Sequence, residues 1–265
     1  MQQFMFLKDD TECVVQLPPT DTELLPGVRW GHPCALFTPA YWFTQHLMSS
    51  RESNSSRHRI GQTFLEEITA CILGGYGIPA EVGLAAFEHL RKEGVISSLC
   101  TDQRLLECRL QEPIQLDGRT ITYRFWRQKA TYLAAAYRAM QERDFSTDEP
   151  VALRNALMTL PGVGPKTASW IVRNWLGSDE VAILDIHIVR AGILAGLFEP
   201  DEDVSKNYIR METKFIAFSR ALGVQTSDLD ALIWRMMRTT PRLVMHLIEL
   251  NSSLQLRCPL GPEQR

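Results

Sequence analysis

Residues 156–168, Ala-Leu-Met-Thr-Leu-Pro-Gly-Val-Gly-Pro-Lys-Thr-Ala, restrict what this chain can fold into more than any other stretch. At their centre Leu160-Pro161-Gly162-Val163-Gly164 separates two segments that each carry helical spacing. Gly162 and Gly164 permit positive φ and close backbone approach, while Val163 can point inward as an apolar anchor. The pattern predicts a tight turn between two helices. The second helix then offers N–H groups and a positive dipole end to an anion such as a DNA phosphate.

Gly-Val-Gly alone also suits a plain αα-hairpin, and the residues that follow sharpen it. Ala168, Ile171, Val172, Trp175 and Leu176 fall at i, i+3, i+4, i+7 and i+8, the buried stripe of an amphipathic helix. Lys166, Trp170 and Asn174 fall at i, i+4 and i+8 on another face. Next, the apolar run Val181-Ala182-Ile183-Leu184 leads into Asp185, where a helix N-cap belongs, with His187 two residues on. An amine one turn from an indole, just behind an anion-binding turn, is a candidate site. The plain structural counterpart is a solvated Lys166, a packed Trp170 and an Asp185 that only caps.

Charge restricts the partners. With 28 Lys+Arg against 31 Asp+Glu the formal net charge is -3, so the chain has no global pull on nucleic acid. Nucleic acid would have to be held by a local basic face and by backbone donors. At 265 residues the chain can bury the core of one large domain or two small ones. Its cysteines (Cys13, Cys34, Cys71, Cys100, Cys108, Cys258) form no CxxC pair, which fits free thiols in a reducing compartment. With only Cys258 in the C-terminal tail, a four-cysteine iron–sulfur cluster there is excluded. No basic-then-apolar leader is present and no apolar run approaches the ~20 residues of a membrane span. A cytoplasmic protein without membrane contact is expected.

Residues 1–59 read as an irregular, short-strand region punctuated by Pro18–Pro19, Pro26–Gly27, Pro33 and Pro39, with Ser49–Arg59 an exposed polar linker. Residues 60–265 read as one helical region. Phe64, Ile68, Cys71 and Ile72 repeat at helical spacing up to Gly74-Gly75-Tyr76-Gly77-Ile78-Pro79, and a second helix covers Ala80 to Lys92. Residues 114–124 hold a β-hairpin turning at Asp117–Gly118. Further helices are expected over 129–141, 151–159, 166–176, 186–197, 206–222 and 228–238, the last stopping at Pro241. The fold class is mostly α, with minor β content near the N-terminus.

The Leu-Pro-Gly-Val-Gly-x-Lys stretch, followed 19 positions after Lys166 by Asp185-Ile186-His187, resembles the helix-hairpin-helix (HhH-GPD) DNA glycosylase superfamily, in its 8-oxoguanine DNA glycosylase (Ogg) branch. The resemblance is strong over residues 150–190 and extends from about 60 to 240. It implies two helical subdomains, with hairpin and catalytic residues at 156–190. It implies a glycosylase that excises 8-oxoguanine in base excision repair and an AP lyase that works through a Schiff base. Lys166 would be the nucleophile, Asp185 the catalytic carboxylate, and Gly162, Val163, Gly164 and His187 the phosphate contacts. Members without this Lys use water and leave the strand intact. No cofactor or metal is implied, although hairpin carbonyls offer a monovalent cation a place against a phosphate. The expected partner is double-stranded DNA with a damaged guanine, bound by a monomer.

Once the base is flipped, something must fill the gap. Tyr76 is one candidate wedge, and Arg127-Gln128-Lys129 falls where the resemblance places contacts to the orphaned base. Gly-Gly-Tyr-Gly-Ile-Pro replaces the family's asparagine-rich turn, so no preference for the opposite base follows. Asp230 and Trp234, at i and i+4, match positions where the family reads the base edge and stacks on the base, with Asp for Gln; Trp170 would cover the other face. Asp230 also fits a plain role as first-turn partner of the helix dipole near Ser227. Two other readings share these residues: a glycosylase for another modified guanine, as in phage defence, and a helix-hairpin-helix module that grips DNA without cutting it.

Overall fold

The computed structural model describes residues 1–49, 58–75, 77–145 and 148–257. In chain order, β1 (Gln2–Lys8) and β2 (Thr11–Leu17) form an antiparallel hairpin, β3 (Glu23–Leu25) and β4 (Val28–Arg29) a short second one, and α1 (Pro39–Met48) follows. Then come α2 (Phe64–Leu73), α3 (Ala80–Lys92) and α4 (Gln103–Gln111), the hairpin β5 (Ile114–Leu116) and β6 (Arg119–Ile121), and α5 (Trp126–Glu142). The remainder is helical: α6 (Pro150–Leu157), α7 (Pro165–Leu176), α8 (Ile186–Leu194), α9 (Val204–Leu222), α10 (Thr226–Thr239) and α11 (Pro241–Arg257). Among the described residues no helix is long and apolar enough to cross a membrane.

The chain divides into two compact units. One is Asn54–Val181; the other joins Met1–Ser53 to Ala182–Arg265. The sequence division at 59/60 sets the first segment apart, whereas the structure groups it with the C-terminal helices. The cause is apolar: Val28, Phe37 and the fully buried Trp42 share a core with Leu184, Ile188, Phe215, Leu229 and Ile233. The 54–181 unit has its own core, which includes Ile68, Leu73, Phe87, Leu133, Tyr137, Ala168 and Ile171.

Local chemistry explains the element ends. Thr63 and Glu66 form a reciprocal capping box that starts α2. Asp117 and Gly118 both take positive φ (49° and 74°), the turn a two-residue hairpin needs. Three helices lie where none was expected. α1 starts at Thr38, whose hydroxyl caps Tyr41 N–H, with Pro39 in the first turn. α4 is capped by Asp102, which accepts from the amides of Arg104 and Leu105. Pro241 ends one helix and opens the next: the non-helical Thr240 precedes it, and α11 begins on the proline itself.

A buried acid joins separate elements of the 54–181 unit. The fully buried Glu67 of α2 accepts from the amides of Ile60 (2.8 Å) and Gly61 (2.9 Å) through Oε2, and from Asn174 Nδ2 (2.7 Å) through Oε1. Cys71 Sγ also lies 3.6 Å from Oε1; burial first, then the nearby carboxylate, push its thiol pKa up, so it serves as a donor. Glu67 thereby ties the approach to α2, α2 itself and α7 together. A carboxamide at this position would oppose an NH2 to at least one of these donors. Glu67→Gln is expected to lower the unfolding free energy by roughly 2 kcal/mol or more in urea titration; parental stability would show that these bonds contribute little.

Candidate functional site

The hairpin is built as a β-turn. Val163 N–H donates to the Leu160 carbonyl (3.1 Å), with Pro161 and Gly162 between them and Gly162 at φ 78°, the type II arrangement. Gly162 is needed twice over: its φ is left-handed, and a Cβ there would collide with the Tyr132 ring. Leu160 and Val163 are buried in the unit's core, as the inward-anchor expectation required. Gly164 is exposed, serves as N-cap of α7 and supplies no capping side chain; Pro165 occupies the first helical position. The amides of Lys166 and Thr167 therefore start a helix that no side chain closes.

Lys166, in that first turn, is half-exposed. Trp170, one turn on, is half-buried, and its ring packs so closely on Gly74 that a Cβ there would sit 2.9 Å away. Asn174 is buried on Glu67, so the face that bears Lys166 becomes core at its far end. Ala168, Ile171 and Val172 are buried as the stripe predicts; Trp175 is half-exposed beneath the Arg59 guanidinium, 4.2 Å from its ring.

At the start of α5, Arg127 is exposed with its guanidinium 4.7 Å from the Trp126 ring. Gln128 is exposed and donates to Tyr132 Oη (2.9 Å). Lys129 points inward: its Nζ donates to the carbonyls of Ile72 (2.5 Å) and Gly74 (3.1 Å), closing the C-terminus of α2. The buried Tyr123 hydroxyl takes the Leu73 carbonyl between them (2.5 Å). Sequence reasoning placed Lys129 with the outward contacts and missed Tyr123 and Tyr132, because a helix end's demand for donors is silent in the residues that meet it. Tyr76 lies outside the described residues.

The other unit carries Asp185, His187, Asp230 and Trp234. Asp185 is the N-cap of α8: its Oδ1 accepts from the amides of His187 (2.8 Å) and Ile188 (3.0 Å). Both bonds use one oxygen, leaving Oδ2 to other chemistry. His187 is half-exposed in the same turn. On α10, Asp230 is 2% exposed among core residues, while Trp234 is half-exposed with the Arg238 guanidinium 4.5 Å from its ring. Leu229, Leu232, Ile233 and Met237 are buried on the core side of α10, and Met236 is half-buried. Among the described residues, His89, Glu93 and Glu112 alone group as metal ligands would. Arg109 already reaches both carboxylates (3.1 and 2.8 Å), which makes the group an ion-pair cluster.

A family model described as 8-oxoguanine DNA glycosylase, of the Ogg helix-hairpin-helix type, matches residues 49–224, a span that includes both Lys166 and Asp185. An 8-oxoguanine DNA glycosylase/AP lyase of Thermoplasma volcanium is 31% identical over 118 residues, 43% of this chain and 56% of that protein. The chain thus spans little more than half of that relative's length. Among solved structures, a Methanocaldococcus jannaschii 8-oxoguanine DNA glycosylase aligns with TM-score 0.51 and 25% identity over 76% of this chain and 85% of its own. The Thermotoga maritima 8-oxoguanine DNA glycosylase aligns with TM-score 0.53 and 22% identity over 75% and 88%. A second Methanocaldococcus jannaschii structure, a glycosylase/lyase in complex with 15mer DNA containing 8-oxoguanine, gives TM-score 0.52 and 23% identity over 76% and 90%.

Lys129 generates a prediction. Burial lowers its pKa below the ordinary 10.5, so the unfolded chain binds this proton more tightly than the fold does. Stability should therefore rise with pH across the interval between the lowered value and 10.5. Lys129→Met should lose about 1–3 kcal/mol at neutral pH, from two carbonyls left without their donor, and should lack the alkaline rise. Urea titrations at stepped pH check both; a variant that keeps the rise would assign it elsewhere.

Proposed function

We propose that this chain, which belongs to the 8-oxoguanine DNA glycosylase family, excises oxidised guanine from double-stranded DNA and nicks the resulting abasic strand, with Lys166 as nucleophile and Asp185 as carboxylate partner. The observation that carries the proposal is the hairpin turn that ends in an uncapped helix start with Lys166 in its first turn. Open amides and the helix dipole attract a phosphate without any net positive charge on the protein, which suits a chain of net charge -3.

The chemistry follows from the groups. Lys166 must be uncharged to attack C1′ of the flipped nucleotide. As the C1′–N9 bond breaks, its electron pair leaves with the base, which takes up a proton. Positive charge develops on the sugar, and the Asp185 carboxylate stabilises it and receives the proton that the attacking nitrogen loses. The C1′–O4′ bond then breaks, O4′ takes the proton held by Asp185, and C1′ is left as a Schiff base with Lys166; loss of a C2′ proton then expels the 3′ phosphate, and water releases the lysine. In this reading Gly162, Gly164 and His187 face the DNA backbone while Val163, buried and with its amide held by the Leu160 carbonyl, anchors the turn instead of touching DNA; Arg127 and Gln128 lie toward the gap left by the base, and the protein acts as a monomer in the cytoplasm.

Lys166→Gln should abolish borohydride-trapped adducts and strand nicking on 8-oxoguanine duplexes while DNA binding persists. Asp185→Asn should still cap α8, since Asn is an equally good N-cap, yet excise far more slowly. An adduct formed by the first variant, or parental single-turnover excision by the second, would defeat the assigned role.

Asp230 and Trp234 supply the specificity half of the proposal. A carboxylate accepts from both N1–H and N2–H of guanine-type bases but from only the one donor of adenine, whose N1 is an acceptor that it repels, while the half-exposed Trp234 ring is a stacking platform. Asp230→Ala should lose about 2 kcal/mol or more of transition-state stabilisation on 8-oxoguanine. Single-turnover rates on 8-oxoguanine, uracil and hypoxanthine duplexes decide it. Unchanged 8-oxoguanine excision by the variant would return Asp230 to a purely structural role.

A further inference from the structure

Among the described residues no strand pairs with the segment that delivers Asp185 to its cap position, and two side chains of α9 take a strand's place. Tyr208 Oη donates to the Ala182 carbonyl (2.8 Å) and accepts from the Leu184 amide (3.2 Å). One turn along α9, Glu212 Oε1 accepts from the Ala182 amide (3.0 Å). Both side chains are buried, Glu212 at 2% exposure. Three backbone polar groups within three residues are thus met by two side chains spaced i and i+4. The fourth bond of the segment, Asp185 N–H to the Ile183 carbonyl (3.0 Å), is its own. All these residues belong to the same compact unit.

From this we infer that Tyr208, supported by Glu212, is a positioning residue for the Asp185 carboxylate, one that acts on base excision through Asp185 and touches no substrate. The inference rests on the reading of Asp185 as the carboxylate that stabilises the sugar cation. Mere burial of this segment would need only apolar packing, and Phe215 and Leu184 in the same core already provide that. A hydroxyl that clamps a carbonyl and an amide two residues apart fixes the backbone immediately before Asp185. Oδ1 is held by the first turn of α8, so the direction of Oδ2 follows from that backbone. Catalytic geometry is sensitive on this scale: a misplacement of about 1 Å can cost on the order of a hundredfold in rate.

The test is a double-mutant cycle on the chemical step. Tyr208→Phe removes both hydrogen bonds and keeps the ring. It is expected to slow single-turnover excision of 8-oxoguanine about tenfold or more, while the affinity for the same duplex stays within about twofold. In the Asp185→Asn background the same change should cost nothing further, because the group it aims is already gone. Parental excision by Tyr208→Phe overturns the inference, and so does an equal loss in both backgrounds. Glu212→Gln, run through the same cycle, carries the test if Tyr208→Phe does not fold; failure of both to fold would make the pair structural and also overturn the inference. Parental excision by Asp185→Asn alone would instead remove the reading of Asp185, an outcome that does not involve Tyr208.

Discussion

A buried carboxylate needs donors on every side, and in the 54–181 unit that requirement organises the rest. Glu67 gathers backbone amides from the approach to α2 and a side-chain amide from α7, so two helices distant in sequence are fixed by one acid. Leaving such a group unsatisfied would cost several kcal/mol, more than a typical apolar contact contributes. Apolar packing sets which faces of α2 and α7 meet, and Glu67 sets where along them they meet. The helix that presents Lys166 is therefore anchored at its far end, at Asn174, while its first turn stays open.

The two helix starts that matter most solve the same problem in opposite ways. α8 begins on Asp185, whose carboxylate satisfies two of its amides. α7 begins on Gly164 and Pro165, which satisfy none. A closed start has spent its positive end on its own side chain, whereas an open one keeps it for an external anion. The end of α2 shows a third solution: three consecutive carbonyls, of Ile72, Leu73 and Gly74, are met by Lys129 and Tyr123 from the segment around the start of α5.

Where an element is dictated by its own residues, the sequence was legible. The bounds of α3, the Asp117–Gly118 turn and the inward Val163 all follow from local rules and stand as read. The illegible parts depend on partners far along the chain. α1 was hidden by prolines that read as loop punctuation, although Pro39 sits in a helix's first turn. Pro241 was read as a stop and is also a start. The inward turn of Lys129, the burial of Asn174 and the bracing by Tyr208 and Glu212 each answer a backbone or acid elsewhere, and no periodicity reports such a need. Of the candidate residues, Lys166 and Asp185 were legible as helix-terminal groups; the side chains that support them were not.

The division of the chain has a consequence for the order in which the protein is made. Residues 54–181 hold every element of their unit in one uninterrupted stretch. During synthesis that stretch leaves the ribosome complete, and domains generally fold as units in the order they emerge. Met1–Ser53 emerge earlier, yet Phe37 and Trp42 belong to a core whose other side, from Ala182 onward, does not yet exist. Residues 1–53 must therefore wait for those from Ala182 onward. Throughout that interval the aromatic side of α1 is uncovered, and the nascent chain carries a folded hairpin unit flanked by an unfinished one.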